Sequence, residues 1–204
     1  MIVDGLSFQN YQFPIKLLHK FCCLVGMMDR KKSLLLLTAV AAGTTLYNLL
    51  KPIKSSVPVV QGFKKDRYLG EWYEIARLDF FWEKNLKNVT ATYSLQADGR
   101  IRVLNQGYDY VKQKHKKSRG KAVFVRNEDE GALKVSFFGP FYAGYNVVML
   151  DEDYQYALVF GQNLDYMWIL SREKNIPEEV KQQYLDYAST CGYSIDKLVW
   201  TKHD

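Results

Sequence analysis

From Gly70 onward, apolar and polar positions alternate with the two-residue period of a sheet. Val89, Ala91, Tyr93 and Leu95 are separated by Thr90, Thr92 and Ser94, so one face of this run is apolar and the other carries hydroxyls. Runs of the same kind recur at 101–108, 121–125, 133–137, 145–150, 156–160 and 167–172. Turn-forming clusters separate them: Ala97-Asp98-Gly99, Asn127 to Gly131, Phe138-Gly139-Pro140, Asp151-Glu152-Asp153 and Asn163-Leu164-Asp165. With the strand around Trp72 this predicts eight strands, short connections and no crossover helix. Such a chain is all-β, and it removes its exposed edges by closing into an eight-stranded antiparallel up-and-down β-barrel.

One helical period interrupts the pattern. Pro177 suits a first helical position, Glu178 and Glu179 suit its positive end, and Val180, Tyr184 and Ala188 share a face before Gly192. With a single apolar stripe, this C-terminal helix is expected to pack outside the barrel. Leu198-Val199-Trp200 reads as a short strand returning to an edge.

The first strand begins within Tyr68-Leu69-Gly70-Glu71-Trp72-Tyr73-Glu74-Ile75-Ala76-Arg77. Strict alternation puts Trp72, Glu74 and Ala76 on one face and Tyr73, Ile75 and Arg77 on the other. Trp72 is the only large apolar group on its face, which suits a plug at the end of something closed. Glu74 shares that face. A carboxylate there must be paired or protonated, unless a bulge or local twist sends it outward.

Charge changes the picture at the N-terminus. The formal net charge is +6, but residues 1–57 hold seven Lys or Arg against two Asp, leaving 21 against 20 acidic groups in 58–204. The basicity therefore points to membrane targeting, with no nucleic-acid footprint. Asp29-Arg30-Lys31-Lys32 precedes an apolar run over 34–50, near the lower limit of about 17 residues for a span. We read residues 1–57 as an appendage with a signal or anchor segment and a linker, and 58–204 as the domain. Ala39-Val40-Ala41 offers a cleavage site, whereas the run's continuation to Leu50 fits an uncleaved anchor. Met27 and Met28 fit a later start.

Candidate chemistry is sparse. His19, His115 and His203 are far apart and lack partners at ligand spacing, so no metal is expected. Cys191, the one domain cysteine, falls at the end of the outer helix, and no Gly-x-Ser-x-Gly elbow occurs. No catalytic residue and no cofactor is assigned. Phe80, Phe81 and Trp82 lie on a connection too long for a tight hairpin, which suggests either a lid or a return to the core. Residues 109–117 read as a turn bearing Lys112, Lys114, His115, Lys116 and Lys117. It is either a solvated hairpin end or a basic tip facing an anionic membrane or a lipid phosphate.

Gly70-Glu71-Trp72, Leu150-Asp151 with Tyr154, and Arg172 at the end of the eighth strand, taken in this order, resemble the three motifs of the lipocalins. The resemblance runs from about Gly62 to Lys202, and Leu133 to Tyr142 is similar to the bacterial outer-membrane group related to apolipoprotein D. It implies a structural role for Gly70, Trp72, Asp151 and Arg172, with the Arg172 guanidinium over the indole. It also implies a carrier of the bacterial cell envelope, holding a fatty acid or lysophospholipid. The domain is expected to face the periplasm, at the outer membrane by resemblance. No leucine-small-small-cysteine box is present, which puts lipid attachment in doubt and leaves an inner-membrane anchor open. Dimers occur among such relatives, so a homodimer stays open too. The expected ligand contacts are Glu74, Phe80, Phe81, Trp82, Tyr93, Phe137, Tyr142 and Tyr145. A lipid-modifying enzyme on the same fold and a carrier of bilin or another small hydrophobic ligand are the other readings.

Overall fold

The computed structural model describes residues 57–78 and 83–204. The 34–50 segment, Phe80, Phe81 and Trp82 lie outside the described residues. A one-turn helix α1 (Lys65–Tyr68) leads into β1 (Gly70–Leu78), followed by β2 (Leu86–Leu95), β3 (Ile101–Asp109), β4 (Lys114–Phe124) and β5 (Ala132–Phe138). β6 (Phe141–Leu150), β7 (Tyr156–Phe160), β8 (Met167–Ser171), α2 (Glu178–Thr190) and β9 (Leu198–Trp200) complete the order.

Every neighbouring pair is antiparallel, and β1 pairs with both β2 and β8, so the sheet closes into the expected eight-stranded barrel. β9 is an added ninth strand. It takes the edge of β1 that β2 leaves: β2 covers Gly70 to Tyr73, and β9 covers Ala76 to Leu78. The tail continues the seam, with Thr201 N–H donating to the Ile75 carbonyl and Asn88 N–H to that of Lys202.

Two apolar clusters flank the wall. Inside, Trp72, Tyr93, Val103, Leu133, Val147 and Leu170 fill one end of the barrel. Outside, Ile75, Ala76, Leu158 and Ile169 meet Tyr184 and Ala188 of α2, so the helix lies against the wall as its single stripe required. Pro177 sits at the N-cap, one place before the first helical residue, and Gly192 follows the C-cap at φ +89°, a conformation glycine adopts without strain.

Two local expectations are corrected. The register of β1 against β8 shifts between Glu74 and Ala76, a bulge at Ile75 that reverses the alternation beyond it. Ala76 therefore packs under α2, and Arg77 turns to the same side as Glu74. The basic run is the second. Its turn is confined to 110–113, and Lys114 onward pairs with β3 from Asp109 to Ile101 as part of an eleven-residue strand. Both faces of this stretch are polar near the mouth, so apolar alternation could not reveal it.

Candidate functional site

The barrel is sealed at the end where β1 begins. Gly70 has φ +97°, and a Cβ there would stand 3.3 Å from Arg172 Nη1, so glycine provides both the turn and the room. The indole N–H of Trp72 donates to the Tyr68 carbonyl at 2.9 Å, which satisfies a fully buried polar atom. The Arg172 guanidinium lies 3.9 Å from the indole centroid and donates to the carbonyls of Glu71, Arg67 and Leu69 at 2.6, 2.9 and 2.9 Å. Burial lowers the Arg172 pKa from its ordinary value. Asp151 fixes the adjoining β6–β7 turn, accepting from the N–H groups of Gln155 at 2.7 Å and Tyr156 at 2.5 Å.

Above the seal, three phenols form a chain: Tyr145 Oη lies 2.7 Å from that of Tyr68 and 2.8 Å from that of Tyr93. Burial pushes all three pKa values up, so they are neutral donors and acceptors that satisfy one another. Glu74 is 3% exposed, and its Oε1 accepts from Arg77 Nη1 and Thr201 Oγ1, each at 2.7 Å. Its charge is thus matched within the wall.

Over this floor lies a cavity of about 800 Å³, within the roughly 300–1,000 Å³ of single-ligand pockets. Val89, Val103, Val135, Phe137, Trp168 and Leu170 give it an apolar wall, and Tyr93, Tyr145 and Glu74 border it below. Of the other residues expected there, Phe137 packs over Gly120, where a Cβ would come within 2.8 Å of its ring. Tyr142 borders the cavity, and the ammonium groups of Lys121 and Lys134 lie 5.6 and 5.1 Å from the centre of its ring.

Several lining residues escaped sequence reasoning. Asn105 is on the cavity side of β3, and its buried Oδ1 has no hydrogen-bond partner among the described residues. Its alternation with Ile101, Val103 and Gly107 was the available signal. Lys112, Lys114 and Lys116, by contrast, belong to the basic run that the sequence marked, and they line the mouth; Lys116 lies 3.0 Å from the buried carboxylate of Asp109. The Lys112 backbone N–H, then burial and the Lys116 ammonium, act on Asp109, whose pKa is lowered on balance. Among the described residues no cluster of His, Cys, Asp and Glu is placed to hold a metal. Chemically, this is an apolar sleeve sealed at one end, with a buried acceptor, Asn105 Oδ1, that no described residue satisfies and a cationic mouth.

The sequence matches the description Lipocalin-like domain over residues 63–203. It is 53% identical over 146 residues to the outer membrane lipoprotein Blc of Citrobacter freundii, covering 72% of this chain and 82% of that protein. It is 47% identical over 171 residues to the outer membrane lipoprotein Blc of Escherichia coli, covering 82% and 97%. Among solved structures, insecticyanin from the tobacco hornworm Manduca sexta superimposes with a TM-score of 0.60 at 20% identity, over 74% of this chain and 86% of that one. That last likeness concerns the fold alone.

Proposed function

The chain belongs to the lipocalin family and is a carrier of a small hydrophobic ligand, and from this premise we propose that it holds a single-chain lipid, a lysophospholipid or fatty acid, in the cell envelope. The observation that carries the reading is the sealed apolar cavity with Lys112, Lys114 and Lys116 at its open end. An alkyl chain entering it gains about 0.8 kcal/mol per methylene. Association costs of about 4–15 kcal/mol leave a long chain near micromolar affinity. The lysines suit an anionic head group at the mouth.

Asn105 favours the lysophospholipid of the two. A buried amide oxygen without a partner costs about 1–3 kcal/mol, and the glycerol hydroxyl of a lysophospholipid is a donor that a fatty acid carboxylate lacks. The names of the outer-membrane relatives support a place at the outer membrane. We propose residues 34–50 as the segment that directs or anchors the domain there, with residues 58–204 as the carrier.

Native mass spectrometry of the purified chain, titrated with palmitoyl lysophospholipid and with palmitate, tests the proposal. A one-to-one adduct that prefers the lysophospholipid, with the preference lost in Asn105→Leu, is the expected result. A folded chain that takes up neither lipid overturns it, and a visible absorption band on the purified protein would replace it with a pigment carrier.

A further inference from the structure

Exposed apolar side chains are concentrated at one end of the barrel. Among the described residues Tyr110, Val111, Phe138, Phe141 and Leu164 are each about half exposed or more, at 54, 63, 65, 63 and 49%. The strand order puts all five at the mouth, and the β3–β4, β5–β6 and β7–β8 connections each present at least one. Two other large apolar side chains are exposed among the described residues. Leu95 is at the sealed end, and Trp200 lies on the side wall with the Lys181 ammonium 4.9 Å from its ring. Burial in the barrel does not require apolar tips at the mouth, since a solvated hairpin end is ordinarily polar.

Charge separates the possible occupants of this rim. Lys84, Lys112 and Lys114 flank the tips and form no ion pair among the described residues, whereas the nearby carboxylates of Glu83 and Asp109 face Arg77 and Lys116. Asp165 is the one carboxylate on these described connections outside an ion pair, and it accepts from the Asn163 amide. The rim is therefore a ring of apolar and aromatic points interleaved with uncompensated cations. An interfacial surface combines apolar groups that enter the acyl boundary with lysines that meet anionic head groups. A second copy of the same rim would instead oppose lysine to lysine.

We propose that the open mouth docks tip-first on an anionic bilayer, through Tyr110, Val111, Phe138, Phe141 and Leu164 with Lys84, Lys112 and Lys114. The docking goes beyond the carrier reading and does not depend on which ligand fills the cavity. It sets the barrel axis steeply to the membrane, with the cavity opening onto the lipid.

The test uses the full chain with Cys22, Cys23 and Cys191 replaced by serine and an environment-sensitive fluorophore on Val111→Cys, or on Ala97→Cys at the sealed end. Each labelled chain is mixed with phosphatidylcholine vesicles with or without phosphatidylglycerol. Because the N-terminal segment is itself apolar, the local environment of the label is read and not vesicle capture. On phosphatidylglycerol vesicles the label at 111 is expected to shift to the blue and to be quenched by shallow nitroxide lipids. Its signal should fall several-fold on pure phosphatidylcholine, and the label at 97 should stay aqueous. An aqueous label at 111, or equal shifts at both sites, overturns the proposal. A shift at 111 that grows with protein concentration without vesicles overturns it in favour of paired barrels. An unchanged melting temperature certifies that each labelled chain is folded.

Discussion

Arg172 covers the face of Trp72 at 3.9 Å while donating to the carbonyls of Arg67, Tyr68, Leu69 and Glu71, where the chain enters the first strand. One cation thereby ties the end of β8 to α1 and the start of β1. Replacing it with alanine removes a cation–π contact and several charge-assisted hydrogen bonds, for an expected loss of about 3 kcal/mol. Arg172→Lys should recover only a part, since an ammonium lacks the planar fork that reaches these carbonyls together. Urea denaturation measures both. Ligand affinity should hardly change in either, and a large loss of binding in a folded Arg172→Lys chain would move this residue from the seal to the ligand site.

Glu74 and Arg77 form a pair that is nearly inaccessible, with side chains 5% and 1% exposed and 2.7 Å between Oε1 and Nη1. Removing one partner strands a buried charge, so Glu74→Leu should cost about 3–5 kcal/mol. Adding Arg77→Met to the same chain should restore most of that stability, because the second change removes the stranded ion. A double-mutant cycle by chemical denaturation gives the coupling directly. Additive losses would mean that the two groups act separately, through Thr201 and Glu83.

The same pair shows where the sequence was readable and where it was not. The closed barrel followed from even strand spacing, and the outer helix followed from one apolar stripe. The side on which Arg77 falls did not follow, because a single extra residue at Ile75 reverses the alternation and carries no compositional mark. The basic run misled for a different reason: from Lys114 to Arg119 both faces are wet or lie at the mouth, so a strand there has no apolar period. Trp72, Arg172 and Asp151 were marked by the order of three motifs along the chain. The Tyr68, Tyr93 and Tyr145 chain needs three elements to converge, which no local pattern records. For Phe80, Phe81 and Trp82 the chain offers composition alone.

The three buried phenols make alkaline stability a test of the floor. Burial raises their pKa values, so the folded chain retains these protons where the unfolded chain has lost them. By linkage the contribution is whole below the unfolded value of about 10 and is lost as pH rises through it towards the folded values. Stability should fall steeply above about pH 10. Phenolate absorbance should show exposed tyrosines titrating first, with Tyr68, Tyr93 and Tyr145 appearing only as the barrel unfolds. Tyr145→Phe breaks both hydroxyl contacts. It should lower stability at neutral pH by about 1–3 kcal/mol, because the other two hydroxyls each lose their shared partner.

Gly120 packs against Phe137, whose ring lines the cavity. It lies on β4 beside Phe137, and an added Cβ would stand 2.8 Å from the Phe137 ring and 2.8 Å from the Ser136 carbonyl oxygen. The ring could rotate away, but the carbonyl belongs to the paired strand and cannot move without disturbing the β4–β5 ladder, in which Lys121 faces Ser136. Gly120→Ala should therefore cost about 1–3 kcal/mol as overpacking, despite the gain in strand propensity that alanine ordinarily brings. The displaced ring would also move into the cavity and shorten the space for an alkyl chain. Affinity for long single-chain lipids should fall more than affinity for short ones, read as a change in chain-length preference by competition binding. Shortening the ring as well, in Gly120→Ala with Phe137→Leu, should return the long chains while leaving the backbone cost in place. A double variant with full stability would locate the whole clash in the Phe137 ring.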